Sequence, residues 1–144
     1  MPIFTNSVVV DHPATAMYEL VNDVRSYPQF LPWCSKSHIL DEGDDHVKAT
    51  LYLSKGPLKY SFTTYNALVP GEEIKLSFVE GPFKHLSGMW KFEPLDGNKS
   101  KISLHMDYEF SNKVLSFALG PVFDNITKTL IKSFVKRADK VNQS

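Results

Sequence analysis

The sequence is dominated by a long stretch in which apolar and polar side chains alternate one by one. Between residues 35 and 110 the period of this pattern is two, as in strands whose two faces meet different surroundings. The clearest run places apolar residues at every second position: Ile102, Leu104, Met106, Tyr108 and Phe110. Turn signals such as Pro70-Gly71 and Asp96-Gly97-Asn98 separate the runs and leave no room for crossover helices. The pattern therefore predicts an antiparallel sheet, joined by hairpins, with one apolar face.

Two helical regions flank the alternating stretch. Residues 13–24 carry apolar side chains at helical spacing, and a short aromatic turn or second helix, SYPQFLPWC, follows them. Residues 113–141 predict a much longer helix, which spans roughly 43 Å at about 1.5 Å per residue. We expect a kink at Gly120-Pro121, since Pro121 cannot donate a hydrogen bond to the carbonyl group of Phe117.

These elements predict a single α+β domain over residues 1–144. A strand at residues 3–10 begins the chain, and two short helices precede about six more strands and the long helix. The apolar face of the sheet needs a cover, and the C-terminal helix is the only element long enough to provide it. We therefore expect a curved antiparallel sheet of about seven strands wrapped around that helix.

Composition narrows the class of protein. Apolar residues make up 42% and charged residues 22% of the chain, a balance that is typical of globular proteins and excludes disordered and coiled-coil chains. The zero net charge hides a division: residues 1–112 hold 10 Lys/Arg and 14 Asp/Glu, a net of −4, and residues 113–144 hold 6 and 2, a net of +4. The N-terminus lacks a secretory pattern, and no apolar run reaches the ~18 residues of a membrane span, which favours a cytoplasmic protein.

Candidates for catalysis are few. His105, Asp107 and Glu109 project from one face of a strand and could act in acid–base chemistry, but that face is opposite the apolar one. Cys34, the single cysteine, lies in an apolar turn, where an unreactive thiol is expected. The five histidines show no metal-ligand spacing. We therefore predict no catalytic residues, no metal site and a protein that is not an enzyme.

An apolar cavity between sheet and helix is the main candidate binding site. A curved sheet and one helix can enclose such a space, and small-molecule sites are mostly apolar and concave. The same side chains could equally fill a solid core. The predicted lining residues are Tyr27, Phe30, Trp33, Phe62, Phe78, Trp90, Phe92, Met106, Tyr108, Phe117, Phe123, Ile126 and Leu130. Gly88 either leaves room for a ligand beside Trp90 or permits close packing of the helix.

A row of basic residues marks the last helix. Lys128, Lys132, Lys136 and Lys140 are each four residues apart, and Arg137 adds to them. Steps of four residues drift by about 40° around a helix, so the lysines form one band opposite the apolar positions. The band is either an ordinary solvated face or a surface that meets the phosphates of RNA or of anionic lipids.

Three segments resemble a known family. They are VNDVRSYPQFLPWCSKSHIL at residues 21–40, EGPFKHLSGMWKFEPL at residues 80–95, and the C-terminal segment from Phe123 to Val141 that contains LIKSFVKRADKV. Through them the chain resembles the START-like coenzyme Q-binding family, which is related to polyketide cyclases and dehydrases. The resemblance implies a helix-grip fold of the START-like or Bet v 1-like kind, in agreement with the architecture expected above. Pro121, inside the long helix, is a departure from what the resemblance leads us to expect.

The resemblance also implies two activities. Some members are similar to ubiquinone-binding proteins that support respiration, and bacterial members include ribosome association toxins, described as binding the large ribosomal subunit and blocking subunit joining. We expect a protein that holds ubiquinone or a similar isoprenoid lipid and requires no cofactor. The alternative is ribosome association through the lysine band, and the two activities are compatible. A peripheral contact with the inner membrane fits the lipid hypothesis, and no DNA partner is expected. A cyclase or dehydrase activity is the third hypothesis.

Overall fold

The computed structural model describes residues 3–141 of the chain. The helices are α1 (Ala14–Asn22), α2 (Tyr27–Phe30) and α3 (Lys113–Val141), with a 3₁₀ turn (Val24–Ser26) between α1 and α2. The strands are β1 (Ile3–Val10), β2 (Cys34–Gly43), β3 (His46–Lys55), β4 (Leu58–Val69), β5 (Glu73–Glu80), β6 (Phe83–Leu95) and β7 (Lys99–Phe110). This is the order of elements that the sequence predicts.

The strands form one antiparallel sheet in the order β1-β7-β6-β5-β4-β3-β2. Successive hairpins link β2 through to β7, and β1 pairs along the free edge of β7. The β6–β7 hairpin turns at residues 96–98, where Gly97 and Asn98 have φ values of 74° and 60°. Glycine and asparagine adopt this left-handed conformation more readily than other residues, so the turn chemistry helps to set the register of the hairpin. The predicted antiparallel sheet is confirmed.

Helix α3 covers the apolar face of the sheet. It packs mainly against β7, β1 and α1. Phe123 from the helix meets Tyr108 from β7 in a T-shaped pair with ring centroids 4.7 Å apart, a favourable aromatic geometry. Farther along the helix, Phe134 meets Trp90 from β6 in the same way at 5.5 Å. The core therefore lies between one sheet and one helix, which confirms the predicted helix-grip architecture.

Helix α3 begins at a side-chain cap and continues through a proline. The side-chain oxygen of Asn112 accepts a 2.9 Å hydrogen bond from the backbone N–H of Leu115, a stabilising N-cap arrangement. The helix then runs to Val141 although Pro121 removes the hydrogen bond to the carbonyl group of Phe117. Phe117 lies on the exposed side of the helix. Among residues 3–141, neither α3 nor any other helix combines the length and hydropathy needed to cross a bilayer.

The first helix ends two residues earlier than predicted. Helix α1 ends at Asn22, because Asp23 has φ −84° and ψ 71°, outside the helical region. The 3₁₀ turn and α2 follow at once and bring Tyr27 against Phe134 of α3, with ring centroids 5.4 Å apart. The short helices therefore cover the C-terminal half of α3.

Candidate functional site

A cavity of about 70 Å³ lies between the sheet and α3. Its wall is mostly apolar: Val21, Val24, Tyr27, Trp33, Ala49, Leu51, Phe62, Thr64, Asn66, Ile74, Leu76, Leu86, Trp90, Met106, Phe123, Ile126, Thr127, Leu130 and Phe134. Most of these side chains are buried, but Trp33, Leu51, Leu76 and Leu130 are only half-buried. Three of these four lie on α3, on β3 and on the segment that joins α2 to β2, and Leu76 lies on β5.

The cavity is small for a ligand site. An apolar cavity of about 150 Å³ is known to admit benzene, and pockets for drug-sized molecules span about 300–1,000 Å³. The described conformation is therefore a closed one. A molecule with a substituted ring can enter only if side chains along the half-buried side move apart.

The structure brings many of the predicted lining residues together at this cavity. They come from the short helices, from the sheet and from α3: Tyr27, Trp33, Phe62, Trp90, Met106, Phe123, Ile126 and Leu130. Further lining residues were missed, among them Ala49, Thr64, Asn66 and Phe134. The first three occupy inward positions of β3 and β4, and Phe134 lies on the apolar face of α3, so the same periodicities contained the signal that could have found them.

Four predicted lining residues lie in the packed core away from the cavity. Phe92 meets Tyr18 of α1 at 5.6 Å between ring centroids, and Phe78 meets Phe83 at 5.9 Å. Tyr108 is fully buried and donates a hydrogen bond to Asp124 of α3. Phe30 packs on Phe134 from outside the cavity, with ring centroids 5.4 Å apart. The three strand residues, Phe78, Phe92 and Tyr108, face the side of the sheet that was predicted, but neighbouring rings occupy the space beside them.

Phe117 is the clearest correction to the predicted lining. Its side chain is 88% exposed, and Val114 and Pro121 on the same side of α3 are exposed as well. The aromatic turn before β2 instead meets α3 near Phe134, more than two helical turns away from the apolar stretch 114–123. These two apolar segments therefore lie apart along α3.

Gly88 permits close packing and leaves no room for a ligand. A Cβ atom at this position would lie 2.6 Å from Sδ of Met106 and 3.0 Å from Cδ1 of Leu76. These two side chains come from β7 and β5, so the neighbours that fill the space are cross-strand side chains and not α3. Of the two alternatives left open by the sequence, close packing is correct, with the sheet in place of the helix.

The cavity wall contains few polar groups. The Tyr27 hydroxyl donates to the backbone carbonyl of Val21. On the sheet side, the Thr64 hydroxyl donates to Oδ1 of Asn66 at 2.9 Å. On α3, the Thr127 hydroxyl donates to the carbonyl of Asp124 at 2.9 Å. None of the described residues that line the cavity is an acid, a lysine, an arginine or a histidine.

Three buried titratable groups are held in their neutral forms. Desolvation raises the pKa of Tyr27 strongly. Desolvation also raises the pKa of Tyr108, and the hydrogen bond to Asp124 adds to this rise. Burial raises the pKa of the Cys34 thiol to about 11, which fits the predicted unreactive cysteine. Each group therefore favours folding only while it keeps its proton.

We expect the free energy of unfolding to fall as the pH rises above about 9. The pKa values of Cys34, Tyr27 and Tyr108 are higher in the folded protein than in the unfolded chain, so their contribution is present below the unfolded values of 9.0 and 10.0 and is lost above them. Urea unfolding between pH 7 and pH 11 measures this fall. The variant Tyr27→Phe should be less stable at pH 7 but lose less between pH 10 and pH 11. Equal stability of the unaltered protein at pH 7 and pH 10.5 would contradict the assignment.

The row of His105, Asp107 and Glu109 lies on the outer face of the sheet, as predicted. His105 shares a 2.8 Å hydrogen bond with Thr5 of β1. Asp107 pairs with His85 at 3.1 Å, and Glu109 pairs with Lys84 at 3.5 Å. The three side chains thus contact neighbouring strands and point away from the cavity. Within the part of the chain that the structure describes, no group of three or more His, Cys, Asp or Glu residues could hold a metal ion.

The lysine band, defined as Lys128, Lys132, Lys136 and Lys140, is exposed along its whole length. Its four ammonium groups form no ion pair with any residue in the described range 3–141. Arg137 differs from the prediction, because it donates a 2.9 Å hydrogen bond to Gln29 and lies 5.0 Å over the ring of Phe30. Its guanidinium group therefore links α3 to α2 through a hydrogen bond and a cation–π contact.

Most of the chain matches one known protein family. Residues 10–135 match the family described as polyketide cyclase/dehydrase and lipid transport. The chain belongs to this family. The family resemblance predicted from the three sequence segments is thereby confirmed.

Relatives in the polyketide cyclase/dehydrase and lipid transport family carry two kinds of name. The persistence and stress-resistance toxin PasT of Escherichia coli is 42% identical over 98% of this chain and 89% of its own length. The ribosome association toxin RatA of Pseudomonas aeruginosa is 39% identical over 94% of both chains. The mitochondrial coenzyme Q-binding protein COQ10 homolog B of Xenopus laevis is 26% identical over 96% of this chain and 58% of its own length.

Solved structures show the same architecture. The Zhui aromatase/cyclase from a Streptomyces species has a TM-score of 0.86 at 20% identity and covers 99% of this chain and 96% of its own. An 18 kDa protein from Caulobacter crescentus has a TM-score of 0.76 at 26% identity and covers both chains completely. At 20% identity the cyclase establishes the fold alone, because one fold supports many activities.

Proposed function

We propose that this domain binds an isoprenoid quinone such as ubiquinone, or a similar isoprenoid lipid, between the sheet and α3. The observation that carries the proposal is the cavity wall, whose described side chains are mainly aromatic and aliphatic and include no charge. A neutral apolar molecule gains free energy on leaving water for such a wall, whereas a charged molecule would lose it. A protein that carries or presents a quinone in this way would support respiration.

The comparisons support the same chemistry. The family description includes lipid transport, and the Xenopus laevis relative is named for coenzyme Q binding. Neither name identifies the ligand of this chain, so the quinone is our proposal.

Of the half-buried lining residues, we place the entrance at Trp33, Leu51 and Leu130, where α3 faces β3 and the segment between α2 and β2. Helix α3 packs mainly on β7, β1 and α1, so it can separate from β3 with less loss of contact than from the other elements. A ligand taken from a bilayer would pass through this side during a peripheral contact of the protein with the inner membrane. The proposed function therefore includes an opening of the closed 70 Å³ cavity.

The proposed role involves neither catalysis nor a cofactor. Tyr27 is the one titratable side chain among the described lining residues, and its hydroxyl is committed to the carbonyl of Val21. Burial raises its pKa, so it does not give up a proton near neutral pH. We therefore favour binding over a cyclase or dehydrase reaction.

A titration with ubiquinone that bears two isoprene units tests this proposal. Trp33 and Trp90 both line the cavity, so a bound quinone should quench their fluorescence. We expect quenching that saturates at one equivalent of quinone per chain. In the variant Trp33→Phe, the fluorescence of Trp90 should still be quenched. Quenching that rises linearly, as for free tryptophan amide in solution, would count against the proposal.

Ribosome association is the second candidate function, and the lysine band favours it. Four exposed ammonium groups without ion-pair partners in the described chain form a surface that is suited to RNA phosphates. Relatives named ribosome association toxin RatA, such as that of Pseudomonas aeruginosa, support this reading. The band and the cavity use different faces of α3, so one protein can serve both functions.

Charge reversal at the centre of the band should weaken binding to large ribosomal subunits. We expect Lys132→Glu together with Lys136→Glu to reduce co-sedimentation at least about tenfold and to lower the dependence of log K on log salt by about 2. Lys59→Glu with Lys75→Glu, on exposed positions of β4 and β5, makes the same change in net charge and serves as the control. Equal binding by the two double variants would contradict a specific role for the band.

A further inference from the structure

Two hydrogen-bond donors in the cavity wall lack an acceptor within the described protein. One is the side-chain amide of Asn66 on β4, and the other is the indole N–H of Trp90 on β6; as whole residues, Asn66 is 7% and Trp90 is 3% exposed. Among residues 3–141, neither the amide nitrogen of Asn66 nor Nε1 of Trp90 has a hydrogen-bond partner. Neither nitrogen is fully buried, because among residues 3–141 the fully buried side-chain polar atom without a partner is Oδ1 of Asn22. Each donor can therefore be hydrated before a ligand enters, and a ligand that displaces this water must offer an acceptor or leave the donor unpaired.

The neighbours of Asn66 determine which of its atoms is available. Its Oδ1 atom accepts a 2.9 Å hydrogen bond from the hydroxyl of Thr64, two residues earlier on the same face of β4. The residues opposite it on the adjacent strands are Val47 and Leu76, which offer no side-chain acceptor. The amide nitrogen, with two N–H donors, is thus the group that Asn66 presents to whatever enters the cavity.

These donors restrict the chemistry of the ligand. A pure hydrocarbon would leave both of them unpaired. A carboxylate would bring a negative charge to a wall whose described residues include no cation. A carbonyl oxygen fits best, because it offers two lone pairs, carries no charge and brings no donor that needs its own acceptor.

We propose that Asn66, aided by Trp90, recognises a carbonyl oxygen of the bound molecule, so that the ligand class is a neutral apolar quinone or ketone. The inference rests on the proposed function, because it concerns the same cavity. It adds a selective contact: apolar surface area provides affinity, and Asn66 selects molecules with an acceptor at the correct position. Thr64 acts as a positioning residue, since it holds the carboxamide oxygen.

The test compares two probes with the same carbon skeleton, 2,3-dimethyl-1,4-naphthoquinone and 2,3-dimethylnaphthalene. Both ring positions beside the quinone carbonyls are substituted, so addition of the Cys34 thiol is blocked. Equilibrium dialysis against the full chain gives the affinity ratio of quinone to hydrocarbon, which removes the general effect of hydrophobicity. We expect Asn66→Leu, which keeps the size but removes the donors, to lower this ratio about tenfold, the effect of one buried hydrogen bond.

The other outcomes distinguish failure of the carbonyl contact from failure of the proposed function. If Asn66→Leu changes the affinity for both probes equally, or for neither, the carbonyl contact is overturned while apolar binding in the cavity stands. If the unaltered protein binds neither probe, the proposed function fails and the inference fails with it.

A second measurement uses only the unaltered protein, in case Asn66→Leu does not fold. A hydrogen bond to the quinone oxygen lowers the carbonyl stretching frequency, so infrared spectra of the bound quinone should show a band below that of the same quinone in hexane. Identical frequencies in protein and hexane would overturn the proposal.

Discussion

Replacement of Phe123 by alanine is expected to lower the free energy of unfolding by about 3–5 kcal/mol, whereas the same replacement at Phe117 should change it by less than about 0.5 kcal/mol. Both residues are phenylalanines on α3, six positions apart. Phe123 is 4% exposed and Phe117 is 88% exposed, so only the first removes buried contacts.

The reason for the large effect is the position of Phe123 at the centre of an aromatic cluster. Its ring meets Tyr108 at 4.7 Å, Phe83 at 5.1 Å and Phe62 at 6.1 Å between centroids. Alanine would lose the burial of the ring and leave a space that the surrounding rings fill only in part. This cluster joins the first half of α3 to three strands of the sheet, β4, β6 and β7.

Urea unfolding of the two variants beside the unaltered protein measures the difference. The pair controls for residue type, helix propensity and position on the same element. A loss of less than about 1 kcal/mol for Phe123→Ala, or equal losses for both variants, would show that α3 does not pack on the sheet as described.

Ala49→Leu is expected to weaken quinone binding at least about tenfold while the fold is retained. Ala49 lies on β3, is 3% exposed and lines the cavity. Leucine adds three carbon atoms to a side chain that lines the cavity. The volume of the closed cavity is only about 70 Å³, so these atoms occupy much of the space that a ligand would need. Filling existing space costs less stability than forcing a side chain into a close-packed core, where the penalty is about 1–3 kcal/mol.

The matched control for this variant is Ala67→Leu. Ala67 lies on the adjacent strand β4, but its side chain is exposed on the outer face. Titration with the two-isoprene ubiquinone should give nearly unchanged affinity for Ala67→Leu and a large loss for Ala49→Leu. Undiminished binding by Ala49→Leu would place the ligand elsewhere on the protein.

The fold could be predicted because two periodicities determine it. Alternation along β3 to β7 sets which face of each strand is apolar, and short turns allow only hairpins between them. The spacing of Phe123, Ile131, Phe134 and Ala138 sets the buried face of α3 in the same way. The helix continues through Pro121 over the predicted residues 113–141, and the kink expected at Gly120-Pro121 stays a prediction.

The candidate site could be predicted only in part, because periodicity gives the face and not the space beside it. Tyr108 and Phe92 face the core as expected, yet neighbouring rings fill the volume around them. Phe117 was misplaced because residues 114–123 are apolar almost all the way round the helix. Six residues turn the helix by about 240°, so Phe117 and Phe123 project from different sides. Because Phe123 is on the buried face, Phe117 is not.

Asn66 was missed because it is polar. A search for apolar alternation passes over a polar residue, although Asn66 occupies an inward position of β4 between Thr64 and Leu68. A polar side chain on the buried face of a strand is itself a signal, because burial of an unpaired polar group is costly. The sequence shows that signal, but only the structure shows that the amide nitrogen lacks a partner within the described chain.

Helix α3 explains the charge division of the sequence. One face buries Phe123 and Phe134 against the sheet and short helices, and another carries the lysine band. The net charge of −4 over residues 1–112 and +4 over residues 113–144 therefore reflects one element that both covers the cavity and presents a basic surface.

Native mass spectrometry of the protein purified from its own host tests the central claim most directly. The measurement compares the unaltered protein with Ala49→Leu and identifies any bound molecule by extraction and fragmentation. We predict a single neutral apolar adduct, of the quinone or isoprenoid class, on the unaltered protein and its loss from Ala49→Leu. An unaltered protein without any adduct, or an adduct retained equally by Ala49→Leu, would contradict a ligand site between the sheet and α3.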